Sequence, residues 1–255
     1  MSRSGHKDSR ALAGAAILSL LVLAGCKEQV TTLDDVASVR VVHNSPDIPA
    51  FDAYLEGITI PLASNLAYGE AGDFGLVPAV KGVILELRAV GSDPRSEPLF
   101  MSLGLTLGPS EINTATVAGL GNSDDATDSL RVLLDLENFD EVAGGTWRAR
   151  FSHVVSNADE VDIDIDDNGS IEETLDRFET SHPEGFVLPA DQLIPITLVV
   201  EGEPVLKFTL PPLPEGPEYF VYITGLAGAP VGDPAEVRLL LMNQESQTLF
   251  VSRDD

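Results

Sequence analysis

The chain has 255 residues, enough for one large or two ordinary domains, and 44% of them are apolar, which supports a packed core and excludes disorder along the whole length. Its formal net charge of −26 excludes nucleic acid as a partner, because a surface of that sign repels phosphate. Acidity by itself keeps a protein soluble and monomeric and says little more about function.

The N-terminus opens with a basic leader, Arg3, Lys7 and Arg10, followed by an apolar run over residues 11–23. That run suits a signal-peptide core and is short for a membrane span. It ends in Leu23-Ala24-Gly25-Cys26, which resembles the lipobox of bacterial lipoproteins. The resemblance implies cleavage after residue 25 and acylation of the Cys26 thiol, more than one acyl chain being needed for stable anchoring. Residues 1–25 are therefore read as a signal peptide and 26–36 as a lipidated tether that attaches the protein to a membrane of the cell envelope. Lys27 follows the cysteine where an aspartate would mark inner-membrane retention, so the outer membrane is favoured if the host has two. Cleavage removes three of the 15 basic and one of the 41 acidic residues, leaving a net charge of −28. Cys26 is the only cysteine, so no internal disulfide forms and stability rests on burial and sheet hydrogen bonds.

Beyond the tether the chain contains itself twice. Val39-Arg40-Val41-Val42-His43, leading to Phe51-Asp52-Ala53-Tyr54, recurs as Ala149-Arg150-Phe151-Ser152-His153, leading to Val161-Asp162-Ile163-Asp164. Val77-Pro78-Ala79 is answered by Leu188-Pro189-Ala190. Thr116-Val117-Ala118-Gly119-Leu120 is answered by Tyr222-Ile223-Thr224-Gly225-Leu226, and Leu130-Arg131-Val132-Leu133-Leu134 by Val237-Arg238-Leu239-Leu240-Leu241. Short apolar segments, broken by Gly, Pro, Asn and Asp about every ten residues, predict an all-β chain of two tandem antiparallel β-sandwich domains of the immunoglobulin-like kind. The domains span residues 37–143 and 146–255, joined at Gly144-Gly145. Leu85-Glu86-Leu87-Arg88 alternates as a strand with one wet face does. Residues 170–178 are the best candidate for a helix, read as a short insertion in the second copy.

The Val-Arg-Val-Val-His-Asn-Ser-Pro-Asp opening at 39–47, with Asp52, Gly57, the Val77-Pro78-Ala79 step and Gly119-Leu120, resembles the bacterial family known as domain of unknown function 4397. The resemblance covers nearly all of the mature chain in tandem, although Val154-Val155-Ser156-Asn157 departs from it in the second copy. It implies secreted or surface-attached sandwich domains and supplies no catalytic residues.

No serine elbow, zinc helix, phosphate loop or dinucleotide fingerprint is present. The repeated polar pairs His43 with Asp52 and His153 with Asp162 are the one arrangement that suits a general base with an orienting carboxylate. Their recurrence in both copies favours a scaffold role, a hydrogen bond that fixes the turn between a strand and the next. From Asp164 the chain reads like the start of a calcium loop, with Asp166, Asn168, Ser170 and Glu172 as further ligands. Leu175 stands where the bidentate glutamate belongs, so a strand followed by an Asp-Asn-Gly turn is the competing reading. Asp124, Asp125 and Asp128 read as a solvated loop. The sequence thus points to a non-enzymatic, lipid-anchored envelope protein that binds a protein or glycan partner or serves structurally. A calcium-dependent adhesion or glycan-binding module is the alternative, weakened by 6% aromatic content and by Trp147 being the single tryptophan. A hydrolase using the His and Asp pairs ranks last.

Overall fold

A computed structural model describes residues 35–137, 140–200, 205–216 and 218–254. The segment read as a signal peptide, Cys26 and the segment read as a tether up to residue 34 lie outside the described residues. The first half contributes β1 (Val36–His43), β2 (Phe51–Leu55), β3 (Ala63–Leu66), β4 (Gly75–Pro78), β5 (Lys81–Val83), β6 (Leu85–Ala89), β7 (Phe100–Met101), β8 (Leu105–Thr106), β9 (Ile112–Ala118) and β10 (Arg131–Leu136). The second contributes β11 (Thr146–Val155), β12 (Glu160–Ile165), β13 (Glu173–Asp176), β14 (Phe186–Pro189), β15 (Ile194–Val200), β16 (Leu206–Leu210), β17 (Glu218–Gly225), β18 (Arg238–Met242) and β19 (Thr248–Val251).

The two halves share one strand order. In the first, a sheet β10-β9-β1-β4 faces a sheet β3-β2-β6-β7; in the second, β18-β17-β11-β14 faces β13-β12-β15-β16. Two features break the likeness. Among the described residues a small β5-β8 ribbon occurs only in the first half, and β19 extends the second half past β18. Each half also contains one parallel pair, β1 with β9 and β11 with β17, because the later strand returns only after the chain has crossed the opposite sheet.

No helix forms over 170–178. Glu173–Asp176 is β13, the antiparallel partner of β12 and the counterpart of β3. The turn at Asn168-Gly169 sends the chain straight back along β12, so Leu175 lands beside Val161 in the core. A nine-residue helix would be too short to hold itself without such packing.

Alternation in β1 explains the layering. Ala37, Val39 and Val41 point into the first sandwich, against Phe51, Ala53, Leu85 and Leu87 of the facing sheet. Val42 on the other face joins Ala118, Val154, Phe220, Tyr222, Leu240 and Met242 in a separate buried cluster drawn from both halves. The β1 and β11 sheets therefore pack back to back, and the four larger sheets among the described residues stack in four layers. Residues equivalent by the repeat meet here: the Thr116 and Tyr222 hydroxyls lie 3.1 Å apart, as across the axis of a two-fold dimer. Arg131 lies over Phe178 and its counterpart Arg238 over Phe250. The outer sheet is less wet than its alternation suggests, since Glu86 and Arg88 are buried as an ion pair of 2.5 Å, with Arg88 over Tyr54.

Gly119 and Gly225, paired by the repeat, have φ of +91° and +115°. A Cβ on Gly225 would stand 2.3 Å from the Glu236 carbonyl oxygen, and one on Gly119 2.4 Å from that of Ser129. Both obstacles are backbone and cannot swing aside. Gly225→Ala is thus expected to lower stability by at least about 2 kcal/mol in urea titration, combining backbone strain with a clash. Gly57→Ala, with φ of +77° but open space around the Cβ, serves as the control and should cost about 1 kcal/mol.

Candidate functional site

The polar residues singled out in the sequence are occupied by the scaffold. His43 ends β1 and His153 lies two residues before the end of β11, both fully buried, and each Nδ1 accepts a backbone N–H two residues on, from Ser45 at 3.2 Å and from Val155 at 3.4 Å. Burial pushes both imidazoles down to about 4, so both are neutral. Neither meets the aspartate expected of it. Asp52 instead accepts from the Asn65 and Gly91 amides at 2.7 and 2.8 Å, and Asp162 from the Thr174 hydroxyl at 2.6 Å. Neither the general-base pair nor the strand-to-strand His-Asp bond forms, because each aspartate takes its donors from β3, β13 or the turn after β6 and each histidine from the backbone just beyond it.

The calcium loop is likewise a closed hairpin. Asp164 accepts from the Asn168 and Gly169 amides at 3.1 and 2.8 Å, Glu172 from the Ile165 amide at 2.6 Å, and Asn168 from the Ser170 amide at 2.8 Å. Asp167 is held below the usual carboxylate range by the Lys207 ammonium and the Thr197 hydroxyl. Asp166 and Asp167 take φ of +73° and +50° to make the turn. Among the described residues no three His, Cys, Asp or Glu side chains converge as metal ligands. In the acidic loop, Asp125 binds Thr127 and Asp128 pairs with Arg177. Trp147 is buried, its Nε1 donating to the Pro189 carbonyl, and offers no platform for a sugar.

The open feature lies elsewhere. Strands β7 and β10 are edges of the two facing sheets of the first half, and between them runs an apolar trough. Its larger part, 540 Å³, is floored by Phe51, Leu87, Phe100 and Leu130 and walled by Ile48, Pro49, Leu99 and Leu120. A second hollow of 360 Å³ shares Phe100, Ser129 and Leu130 with it and continues past Met101 and Leu103 to Val132. Leu99 and Leu103 are 62% and 90% exposed, a high cost for leucine unless something covers them. Asp47 shapes the inner end, its carboxylate accepting from the Gly121 and Asn122 amides.

The second half has the same place, filled. Ala158, Leu206 and Val237 stand for Ile48, Phe100 and Leu130, and all three are buried where the first-half residues are only partly so. The filling is completed by β19, which pairs with β18, packs Val251 on the core and leads to Asp254, whose amide donates to the Lys207 carbonyl of β16 at 2.7 Å. Sequence reading missed this, since matching 146–255 to 37–143 treated both copies as complete. The signal available was Thr248-Leu249-Phe250-Val251, an apolar run beyond the last matching segment.

The family model described as Domain of unknown function (DUF4397) matches residues 37–164, from β1 through the whole first half and into β12. The chain belongs to this family. The DUF4397 match thus includes every strand that builds the trough, and the strand order of the second half repeats that of the first. No curated protein matches the sequence.

Proposed function

We propose that this DUF4397 protein is a lipid-anchored, non-catalytic component of the cell envelope whose tandem sandwiches hold a binding surface away from the membrane, the trough between β7 and β10 being that surface. The carrying observation is the contrast between the copies: one site in one architecture is open in the first half and shut by the chain's own β19 in the second. The inner end of the trough lies beside the loop after His43, at the opposite end of β1 from Val36, where the tether joins. Eight strand residues span about 26 Å, which sets the inner end of the trough about that far along β1 from Val36.

Two variants test the reading. Cys26→Ser should leave the fold unchanged while the protein moves from membrane to soluble fractions or stays unprocessed. In that soluble protein the neutral dye Nile red should bind saturably, and Leu99→Asp should abolish the binding. Acyl-labelled, membrane-bound Cys26→Ser protein would refute the anchor, and dye binding indifferent to Leu99→Asp would refute the trough.

A further inference from the structure

We propose that the trough receives an extended polypeptide segment of a partner protein, apolar at alternate positions and basic at its ends, which adds as a strand to β10. This rests on the reading of the trough as a binding surface and names its occupant.

Among the described residues β10 is paired on one side only, with β9. The Glu137 amide donates to the Ile112 carbonyl, which places Arg131, Leu133 and Asp135 as the residues hydrogen-bonded to β9. The N–H and C=O of Val132 and Leu134 then point outward, toward the trough. In the second half their counterparts Leu239 and Leu241 point the same way and are met by Val251 and Leu249 of β19. The geometry for strand addition therefore exists in the molecule, with one copy satisfied from within and the other open. The far wall repeats the match: Met101 of β7 stands where Lys207 of β16 receives the Asp254 amide. A segment seated as β19 is would bond one edge, touch the other and cover Leu99 and Leu103 with alternate side chains.

Charge selects among extended segments. Asp47 lines the inner end of the trough and Arg131 its continuation, while the loops that lead to the lining residues Leu99 and Leu130 carry exposed Asp93, Glu97, Asp124 and Asp125 against one exposed cation, Arg95. The whole chain carries −26, so a second copy would bring charge of the same sign to this edge. Self-association on this edge is therefore opposed, and a basic partner is drawn in.

The experiment uses the full mature chain carrying Cys26→Ser. The probe is a fluorescent peptide of alternating valine and threonine with paired lysines at each end, compared with a glutamate-ended version and one N-methylated at alternate residues. At low salt the lysine-ended peptide should bind at least about tenfold more tightly than the glutamate-ended one, and the gap should shrink with added salt. N-methylation should weaken binding by a further factor of about ten or more, since it removes donors to the edge. Val132→Pro, which deletes an outward N–H and leaves the β9 ladder intact, should do the same. Leu99→Asp, at an exposed position, tests the site if the proline variant does not fold. Equal binding of the N-methylated peptide, or peptide binding indifferent to Leu99→Asp, overturns strand addition. If Nile red binds the trough and no peptide does, the occupant is wrong while the binding-surface reading stands; if neither binds, both fall.

Discussion

Alanine at position 40 should destabilise the fold by about 3–5 kcal/mol, because it strands a carboxylate in the joint between the halves. The Arg40 guanidinium donates to Glu137 at 2.5 Å, to the Thr114 hydroxyl at 2.9 Å and to the Asn243 carbonyl of the second half at 2.6 Å. Both ionic side chains are 1% exposed. Burial raises the Glu137 pKa despite this partner, so without Arg40 the carboxyl must either protonate or remain charged and unpaired. Urea titration at pH 7 reads the loss. Replacing the pair together, Arg40→Met with Glu137→Leu, should restore most of it, since apolar substitutes for a buried ion pair are often neutral or better. A single variant as stable as the parent would mean that the joint is hydrated and the ion pair contributes nothing.

The second large effect is on acid stability. His43 and His153 sit at about 4 in the fold against an ordinary 6.5. Between these values the unfolded chain takes up protons that the native one refuses, so their contribution is fully present above pH 6.5 and is lost as pH falls through 4. Each shift is worth on the order of 3 kcal/mol. Glu218 works in the opposite sense. Burial raises it from 4.5 to about 7, so its contribution is present below 4.5 and lost as pH rises through 7. Asp135 is also raised, first by burial, and adds to the same side. Comparison with a variant isolates the histidine part: His153→Leu should gain roughly 3 kcal/mol on the parent as pH is lowered from 7.5 to 4 in paired urea titrations. A difference independent of pH would show that His153 titrates normally in the fold.

Much of the architecture was legible because strand and turn chemistry is local. The repeat of Arg, His and Asp set the two halves, and β1 with β11 and β9 with β17 followed in register. What failed depended on long-range geometry. Spacing put Asp52 near His43, but the amides of Asn65 in β3 and of Gly91 in the turn after β6 take its oxygens, and no linear pattern ranks donors. The Asp164 run, by contrast, takes the strand and Asp-Asn-Gly turn that the sequence offered beside its calcium-like spacing. Burial of both faces of β1 was foreshadowed by Arg40 set among valines, yet its partner lies 97 residues downstream in sequence. The trough was invisible because it is made by a strand that one copy lacks.

The parallel pairing of β1 with β9 also governs how the molecule would carry load. A tether drawing on Val36 and a partner strand held along β10 and drawn past the His43 end would load the sheet along its strands. The β1–β9 hydrogen bonds, spread over six residue pairs from Ser38 to His43, would then be stressed together in shear rather than opened one after another from a free end. Rupture under force is set by the unfolding rate rather than by equilibrium stability, and shear geometry keeps that rate low. A chain without an internal disulfide would thus resist extension by the direction in which its strands are loaded.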